Sequence, residues 1–204
     1  VTAHPLATRA GLEILQKGGN AVDAAIAVQF ALAVVYPRAG NLGGGGFMVL
    51  RQPDGHADAL DYRERAPLAA GRDMYLDSSG QVIEGLSRRG ALAAGVPGTV
   101  AGMQAAYDKY SQLKDWKALL APAIRYAAEG FNISQTEAAR LNRFQEEFRE
   151  FNELPNPFIR DSFYAGYLLK QQELANTLRA IQQYGAGGFY EGATARAITM
   201  EMKD

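Results

Sequence analysis

Residues Ala21–Val35 restrict the possible folds more than any other part of the sequence, because they are apolar on almost every side when drawn as a helix. Only Asp23 and Gln29 interrupt the segment, which is shorter than the roughly 18 apolar residues that a membrane span needs. A helix with apolar residues all round must be buried on several sides. We therefore expect the central helix of a layered fold, packed against a β-sheet.

The residues before this helix mark where it begins. Residues 6–17 have apolar side chains at helical spacing, and Gly18 and Gly19 end that first helix. Asn20 can then cap the second helix, because its side-chain oxygen can accept a hydrogen bond from the backbone N–H of Asp23. The carboxylate of Asp23 lies in the first turn, where the helix dipole favours a negative charge.

A glycine-rich segment and a hairpin pattern follow. Pro37 ends the apolar helix, and residues 40–46 read Gly-Asn-Leu-Gly-Gly-Gly-Gly before an apolar strand at residues 47–50. Residues 53–55, Pro-Asp-Gly, are a turn signal, and residues 57–62 have the pattern of a returning strand. The sequence therefore predicts a β-hairpin.

The rest of the chain has mainly helical periodicity. Further helices are predicted over residues 100–110, 118–128 with a break at Pro122, 134–150, 173–184 and 193–203, with a loop over residues 152–166. Strands early and helices late, without βαβ alternation or a fixed repeat, predict an α+β fold or a helix-sheet sandwich. No internal linker divides residues 1–204, so we expect a single domain or part of one.

Charge and cysteine content exclude several classes of function. The 204-residue chain has a formal net charge of -1 and no run of Lys or Arg, which argues against nucleic acid as a partner. It contains no Cys, so disulfides, thiolate metal sites and a Cys nucleophile are excluded. No cluster of His and carboxylates suggests a metal ion, and we expect no cofactor.

The four consecutive glycines, Gly43–Gly46, have three possible explanations. They could form a flexible linker, cradle a phosphate, or mark a place where the backbone must approach something closely, in tight internal packing or beside a ligand. The phosphate explanation is weak, because no Lys-Ser or Lys-Thr follows and the glycines precede a strand rather than a helix.

Arg63 is the candidate substrate-binding residue. If the turn centres near residues 54 and 55, facing residues have numbers that sum to about 109, so Arg63 lies opposite Gly46. A guanidinium beside a notch without side chains could hold a carboxylate through two parallel hydrogen bonds. Alternatively, Arg63 forms a structural ion pair with Glu64, Asp61 or Asp23. Spacing alone leaves both explanations open.

No catalytic nucleophile is evident. The sequence lacks Gly-x-Ser-x-Gly and Ser-x-x-Lys, and its only histidines are His4, expected to cap or pack a helix, and His56, in the hairpin turn. An N-terminal Thr, Ser or Cys can use its own amino group as a base, but here Val1 comes first, with Thr2 behind it.

Nine short stretches, taken in order, carry a family signature. They comprise residues 7–8, 11–15, 17–25, 41–47, 61–64, 66–67, 95–102, 174–178 without 176, and 188–192 without 191. Their order and spacing resemble the γ-glutamyltransferases (γ-glutamyl transpeptidases) over essentially the whole chain. The resemblance implies an αββα four-layer sandwich of the N-terminal-nucleophile hydrolase type, cut by self-cleavage into a large and a small subunit.

The resemblance also implies a function and a partner. In such enzymes a threonine at the start of the small subunit takes the γ-glutamyl group from glutathione or a related donor. Water, an amino acid or a peptide then accepts it. The arginine of the Asp-Tyr-Arg-Glu motif, here Arg63, is implied to bind the donor α-carboxylate. We expect residues 1–204 to be an incomplete domain from the N-terminal part of the large subunit, ending at Asp204 before the nucleophile.

Two alternatives remain open. The chain could belong to a related cephalosporin or glutaryl acylase, or it could be a non-catalytic subunit that binds amino acids or a partner. A periplasmic or extracellular location is what the resemblance implies.

Overall fold

The computed structural model describes residues 1–203 and combines helices with two small antiparallel sheets. The helices are α1 (Pro5–Gln16), α2 (Ala21–Val35), α3 (Thr99–Tyr110), α4 (Trp116–Glu129), α5 (Gln135–Arg143), α6 (Gln145–Phe151), α7 (Gln172–Tyr184), α8 (Gly187–Tyr190) and α9 (Gly192–Glu201). The strands are β1 (Phe47–Arg51) paired with β2 (Ala57–Asp61), and β3 (Phe131–Asn132) paired with β4 (Leu168–Leu169). The predicted α+β class is confirmed.

Helix α2 begins where the sequence predicts. The Asn20 side-chain oxygen accepts hydrogen bonds from the backbone N–H groups of Val22 and Asp23, both at 2.9 Å. The Asp23 carboxylate in turn accepts from the backbone N–H of Asn20 at 2.9 Å. These reciprocal bonds satisfy three N–H groups that no helical carbonyl could reach.

The burial of α2 is confirmed, but its neighbours differ from the expectation. Nine of its residues are buried, including Ile26, Phe30 and Val34, while Ala21 and Ala25 are exposed. Its main contacts within residues 1–203 are with α1, α3 and α4, so the prediction that it packs against a β-sheet, here the sheet containing residues 47–50, is wrong. The apolar faces of α1 and α4 fill this role, because a hairpin with five-residue strands offers too little surface to cover a helix of 15 residues.

The hairpin forms as predicted, with its register one residue away from the expected one. Phe47 lies opposite Asp61, and the pair after it is Gly46 with Tyr62, linked by N–H···O bonds of 3.4 and 3.0 Å. The loop has three residues rather than two, because the backbone N–H of Gln52 donates to the carbonyl of His56 at 2.8 Å. Facing residue numbers therefore sum to 108, and Arg63 is not the residue opposite Gly46.

The later helices differ in detail from the prediction. Helix α4 runs through Pro122 without a break, with Leu119, Leu120 and Ala123 fully buried around it. The burial of these neighbours stabilises the helix around Pro122, despite the lost backbone donor. Residues 134–150 form two helices, α5 and α6, joined at Phe144. Within residues 1–203, no helix has the length and apolar character needed to cross a membrane.

Candidate substrate-binding site

Arg63 lies just past the end of β2, where the chain leaves the hairpin and runs beside the segment that leads into α3. Its neighbour Arg65 forms an isolated antiparallel bridge with Val96, through N–H···O bonds of 3.1 and 2.8 Å. A cavity of about 460 Å³ adjoins this crossing and is lined in part by Arg63, Arg65 and Tyr190. The hairpin and the start of α3 together therefore position Arg63.

Glycines let the chain pass very close to Arg63. A Cβ atom at Gly45 would lie 2.5 Å from the carbonyl oxygen of Tyr62 and 2.7 Å from the Cα atom of Arg63. A Cβ atom at Gly98 would lie 2.0 Å from the same Tyr62 oxygen, whereas one at Gly43 would meet nothing within 4 Å. Gly45 in the glycine run, together with Gly98, therefore allows close backbone packing around Tyr62 and Arg63.

Two polar side chains fix the glycine run against α3. The hydroxyl of Thr99 donates to the side-chain oxygen of Asn41 at 2.6 Å, and the backbone N–H of Gly44 donates to that oxygen at 3.1 Å. The carbonyl of Gly44 accepts from the N–H groups of Gly98 and Thr99 at 2.8 and 3.0 Å. Asn41 and Thr99 both lie inside the resembling stretches, but their pairing could not be predicted, because the two residues are 58 positions apart in the sequence.

Tyr62 lies beneath this crossing. Its ring faces Gly46 and Gly102, where a Cβ atom would come within 3.0 Å and 2.3 Å of ring carbons. Burial raises the pKa of the Tyr62 hydroxyl, which stays neutral at physiological pH. The spacing of Gly98 and Gly102, one helical turn apart, was the only sequence signal for this packing.

The guanidinium of Arg63 is exposed to solvent. Its side chain is 65% exposed, with Nε 3.8 Å from a Glu64 carboxylate oxygen and the guanidinium carbon 5.9 Å from the centre of the Phe47 ring. Asp61 accepts from the backbone N–H of Arg63 at 3.0 Å, and buried Asp23 bonds to Ser111. Of the three ion pairs considered from spacing, only the long, exposed one to Glu64 forms, and such pairs contribute little.

The two histidines lie away from this site. His4 caps α1, with Nδ1 accepting from the backbone N–H of Leu6 at 3.2 Å, and it packs edge-on against Phe131 at 6.0 Å. Burial lowers the pKa of His4. The predicted capping role of His4 is confirmed, as is the place of His56 in the hairpin turn. Within residues 1–203, no group of three or more His and carboxylate residues could hold a metal ion.

The sequence matches a known family and several curated proteins over most of its length. The model of the gamma-glutamyltranspeptidase family matches residues 7–204. A glutathione hydrolase proenzyme from Pseudomonas sp. strain A14 is 46% identical over 206 residues, covering 100% of this chain and 36% of its own length. That from Escherichia coli K12 is 42% identical, covering 97% of this chain and 34% of its own length. The chain thus spans about a third of these relatives.

Solved structures give the same result. Helicobacter pylori gamma-glutamyltranspeptidase superposes with a TM-score of 0.95 at 47% identity, covering all of this chain and 59% of the other. A cephalosporin acylase from Bacillus halodurans superposes less closely, with a TM-score of 0.80 at 30% identity over 96% of this chain and 37% of the other. The prediction that the chain is part of an αββα sandwich of the N-terminal-nucleophile hydrolase type is confirmed by these matches, and the chain belongs to the gamma-glutamyltranspeptidase family.

Proposed function

We propose that the complete protein transfers or hydrolyses the γ-glutamyl group of glutathione and related compounds, and that Arg63 binds the α-carboxylate of the donor. One observation carries the proposal: the Arg63 side chain is 65% exposed and its guanidinium only weakly paired, although the backbone around it is closely packed. Membership of the gamma-glutamyltranspeptidase family and relatives named glutathione hydrolase proenzymes support it.

The chemistry of arginine suits this role. A guanidinium presents two parallel N–H groups that match the two oxygens of a carboxylate, and it keeps its charge at any physiological pH. Because the Tyr62 and Arg63 backbone lies against Gly45 and Gly98, little ordering of the main chain remains to oppose binding. The 3.8 Å contact with Glu64 is weak enough for a bound carboxylate to replace it.

The nucleophile and the acceptor belong to the complete protein. We infer that residues 1–204 are a single incomplete domain that pairs with a small subunit from the same precursor, as the term proenzyme in the relatives' names suggests. That subunit would supply the nucleophilic threonine, and water, an amino acid or a peptide would accept the γ-glutamyl group. A periplasmic or extracellular location stays a prediction from the family resemblance.

An acylase activity is the second candidate, because a cephalosporin acylase shares this fold at 30% identity. The two functions differ in whether the donor needs an α-amino acid head, so the complete protein should be assayed with γ-glutamyl anilide and with glutaryl anilide. We expect kcat/KM for the γ-glutamyl donor to be at least about a hundredfold higher, since the glutaryl donor keeps the carboxylate but lacks the α-amino group and leaves the site for that group unpaired. Equal or faster turnover of the glutaryl donor would favour the acylase.

A further inference from the structure

We propose that Tyr62 is a positioning residue for Arg63: its ring is held between glycine surfaces, and this packing sets where the guanidinium meets the donor carboxylate. The inference rests on the proposed function, because it assumes that Arg63 binds the donor. The Tyr62 side chain itself lies beneath the proposed binding site of Arg63.

The packing of the Tyr62 ring leaves no room for another side chain on either side. On the α3 side, a Cβ atom at Gly102 would lie 2.3 Å from Cγ and 2.4 Å from Cβ of Tyr62. On the β1 side, a Cβ atom at Gly46 would lie 3.0 Å from Cε2 and 3.1 Å from the hydroxyl oxygen. The ring is therefore clamped between a strand end and a helix, and its motion is restricted from both directions.

The Tyr62 main chain is held as closely as its ring. Its N–H donates to the carbonyl of Gly46 at 3.0 Å, and its own carbonyl oxygen would be 2.0 Å from a Cβ atom at Gly98. One residue later the situation changes, since the Arg63 side chain is 65% exposed and its only ion pair within residues 1–203 is the 3.8 Å contact with Glu64. The guanidinium has few contacts of its own. The position of the Arg63 Cα atom, and so the reach of the side chain, is therefore set by how Tyr62 is packed.

The ring, rather than the hydroxyl, carries this role. Burial is the sole cause of the raised Tyr62 pKa, with no hydrogen bond contributing to it. Phenylalanine would keep the ring contacts with Gly46 and Gly102, whereas alanine would leave a space between them. Tyr62→Phe should therefore rescue what Tyr62→Ala loses.

A double-mutant cycle in the complete protein tests the inference. The parent, Arg63→Ala, Tyr62→Ala, the double variant and Tyr62→Phe are assayed with γ-glutamyl anilide and with 4-aminobutyryl anilide, the same donor without its α-carboxylate. We expect Tyr62→Ala to raise KM for the carboxylated donor about tenfold, and KM for the decarboxylated donor less than about twofold. In the Arg63→Ala background, Tyr62→Ala should change KM less than about twofold, because its partner is gone.

Controls separate positioning from loss of stability. Tyr107→Ala removes another half-buried ring, which packs on Trp116 at 5.1 Å, and it should not change the preference between the two donors. If Tyr62→Ala does not mature, Gly46→Ala offers a second route, because its methyl group would press on the ring at 3.0 Å. It should raise KM for the carboxylated donor about threefold, while Gly71→Ala, which meets nothing within 4 Å, should not.

The outcomes distinguish the two claims. Equal effects of Tyr62→Ala on both donors, or the same factor with and without Arg63, would mean that Tyr62 is merely structural, and the inference would be wrong. No selective effect of Gly46→Ala would contradict it in the same way. If Arg63→Ala itself leaves the donor preference unchanged, the proposed role of Arg63 fails, and the positioning role of Tyr62 fails with it.

Discussion

Asp23 shows how a single buried side chain joins distant parts of the chain. Its carboxylate is fully buried and accepts hydrogen bonds from the Ser111 hydroxyl and from the backbone N–H groups of Asn20, Gln112 and Leu113. Burial alone would raise the pKa of Asp23, but these four donors outweigh it and hold the pKa below its ordinary value. One carboxylate thus ties the start of α2 to the turn after α3.

Asp23→Asn should destabilise the protein at neutral pH by about 3 kcal/mol, since an amide offers one acceptor oxygen where the carboxylate offers two, and it places N–H groups against N–H donors. For a group with a lowered pKa, the stabilisation is present above the unfolded-state pKa, about 3.9, and is lost as the pH falls through the folded-state value. The gap in melting temperature between parent and variant should therefore be widest above pH 5 and shrink below about pH 3.

Thermal denaturation from pH 2.5 to 7 measures this gap, and Asp73→Asn, whose side chain is 72% exposed, is the control. A constant difference in melting temperature across the whole pH range would show that ionised Asp23 does not contribute to the fold.

Helix α2 is the element that organises the core, and its burial is uneven. Phe30 is fully buried and packs edge-on against Trp116, with ring centres 5.7 Å apart. Val28 is only half-buried, on the side where a Cβ atom at Gly11 would come within 2.8 Å of its Cγ2 atom. In a helix that is apolar all round, the loss of stability caused by a substitution can therefore differ greatly between nearby positions.

Phe30→Ala should cost about 3–5 kcal/mol of unfolding free energy, because it leaves a cavity between α2 and α4. Val28→Ala, the matched control on the same helix, should cost about 1 kcal/mol, because part of the lost surface was already in water. Equilibrium denaturation in urea measures both. Equal losses for the two variants would contradict the packing described for α2.

Much of the element order follows from local signals, while contacts between elements do not. The α2 cap could be predicted because Asn20 and Asp23 are three residues apart and have side-chain oxygens that accept hydrogen bonds from nearby backbone N–H groups. The hairpin register could not, because it depends on whether the Pro-Asp-Gly turn closes around two residues or three. The packing of Tyr62 against Gly102 joins residues that are adjacent only after α3 has docked on the hairpin.

At the scale of the whole molecule, the β1–β2 sheet has one face without a partner in the described chain. Phe47 and Val49 on that face are 63% and 80% exposed, while Met48 and Leu60 on the other face pack against the core. A two-stranded sheet is marginal by itself, and three or more strands or a packed helix are needed for independent stability. This fits a chain that spans about a third of its curated relatives.

We therefore expect residues 1–204 alone to release no aniline from γ-glutamyl anilide, because covalent acyl transfer needs an activated nucleophile and none is recognised in this sequence. Adding the remainder of the precursor, by co-expression, should restore turnover. Steady release by the purified 204-residue chain would show that the nucleophile lies within it.

The most direct test of the account is Arg63→Lys in the complete protein. Lysine keeps the positive charge but loses the two parallel N–H groups, so a carboxylate-binding arginine and a structural ion pair respond differently. The measurement is the ratio of kcat/KM for γ-glutamyl anilide to that for 4-aminobutyryl anilide, in parent and variant. If Arg63 binds the α-carboxylate, this ratio should fall in the variant by about ten- to a hundredfold, or roughly 1.5–3 kcal/mol of donor binding. An unchanged ratio would contradict the assignment of Arg63 to the donor.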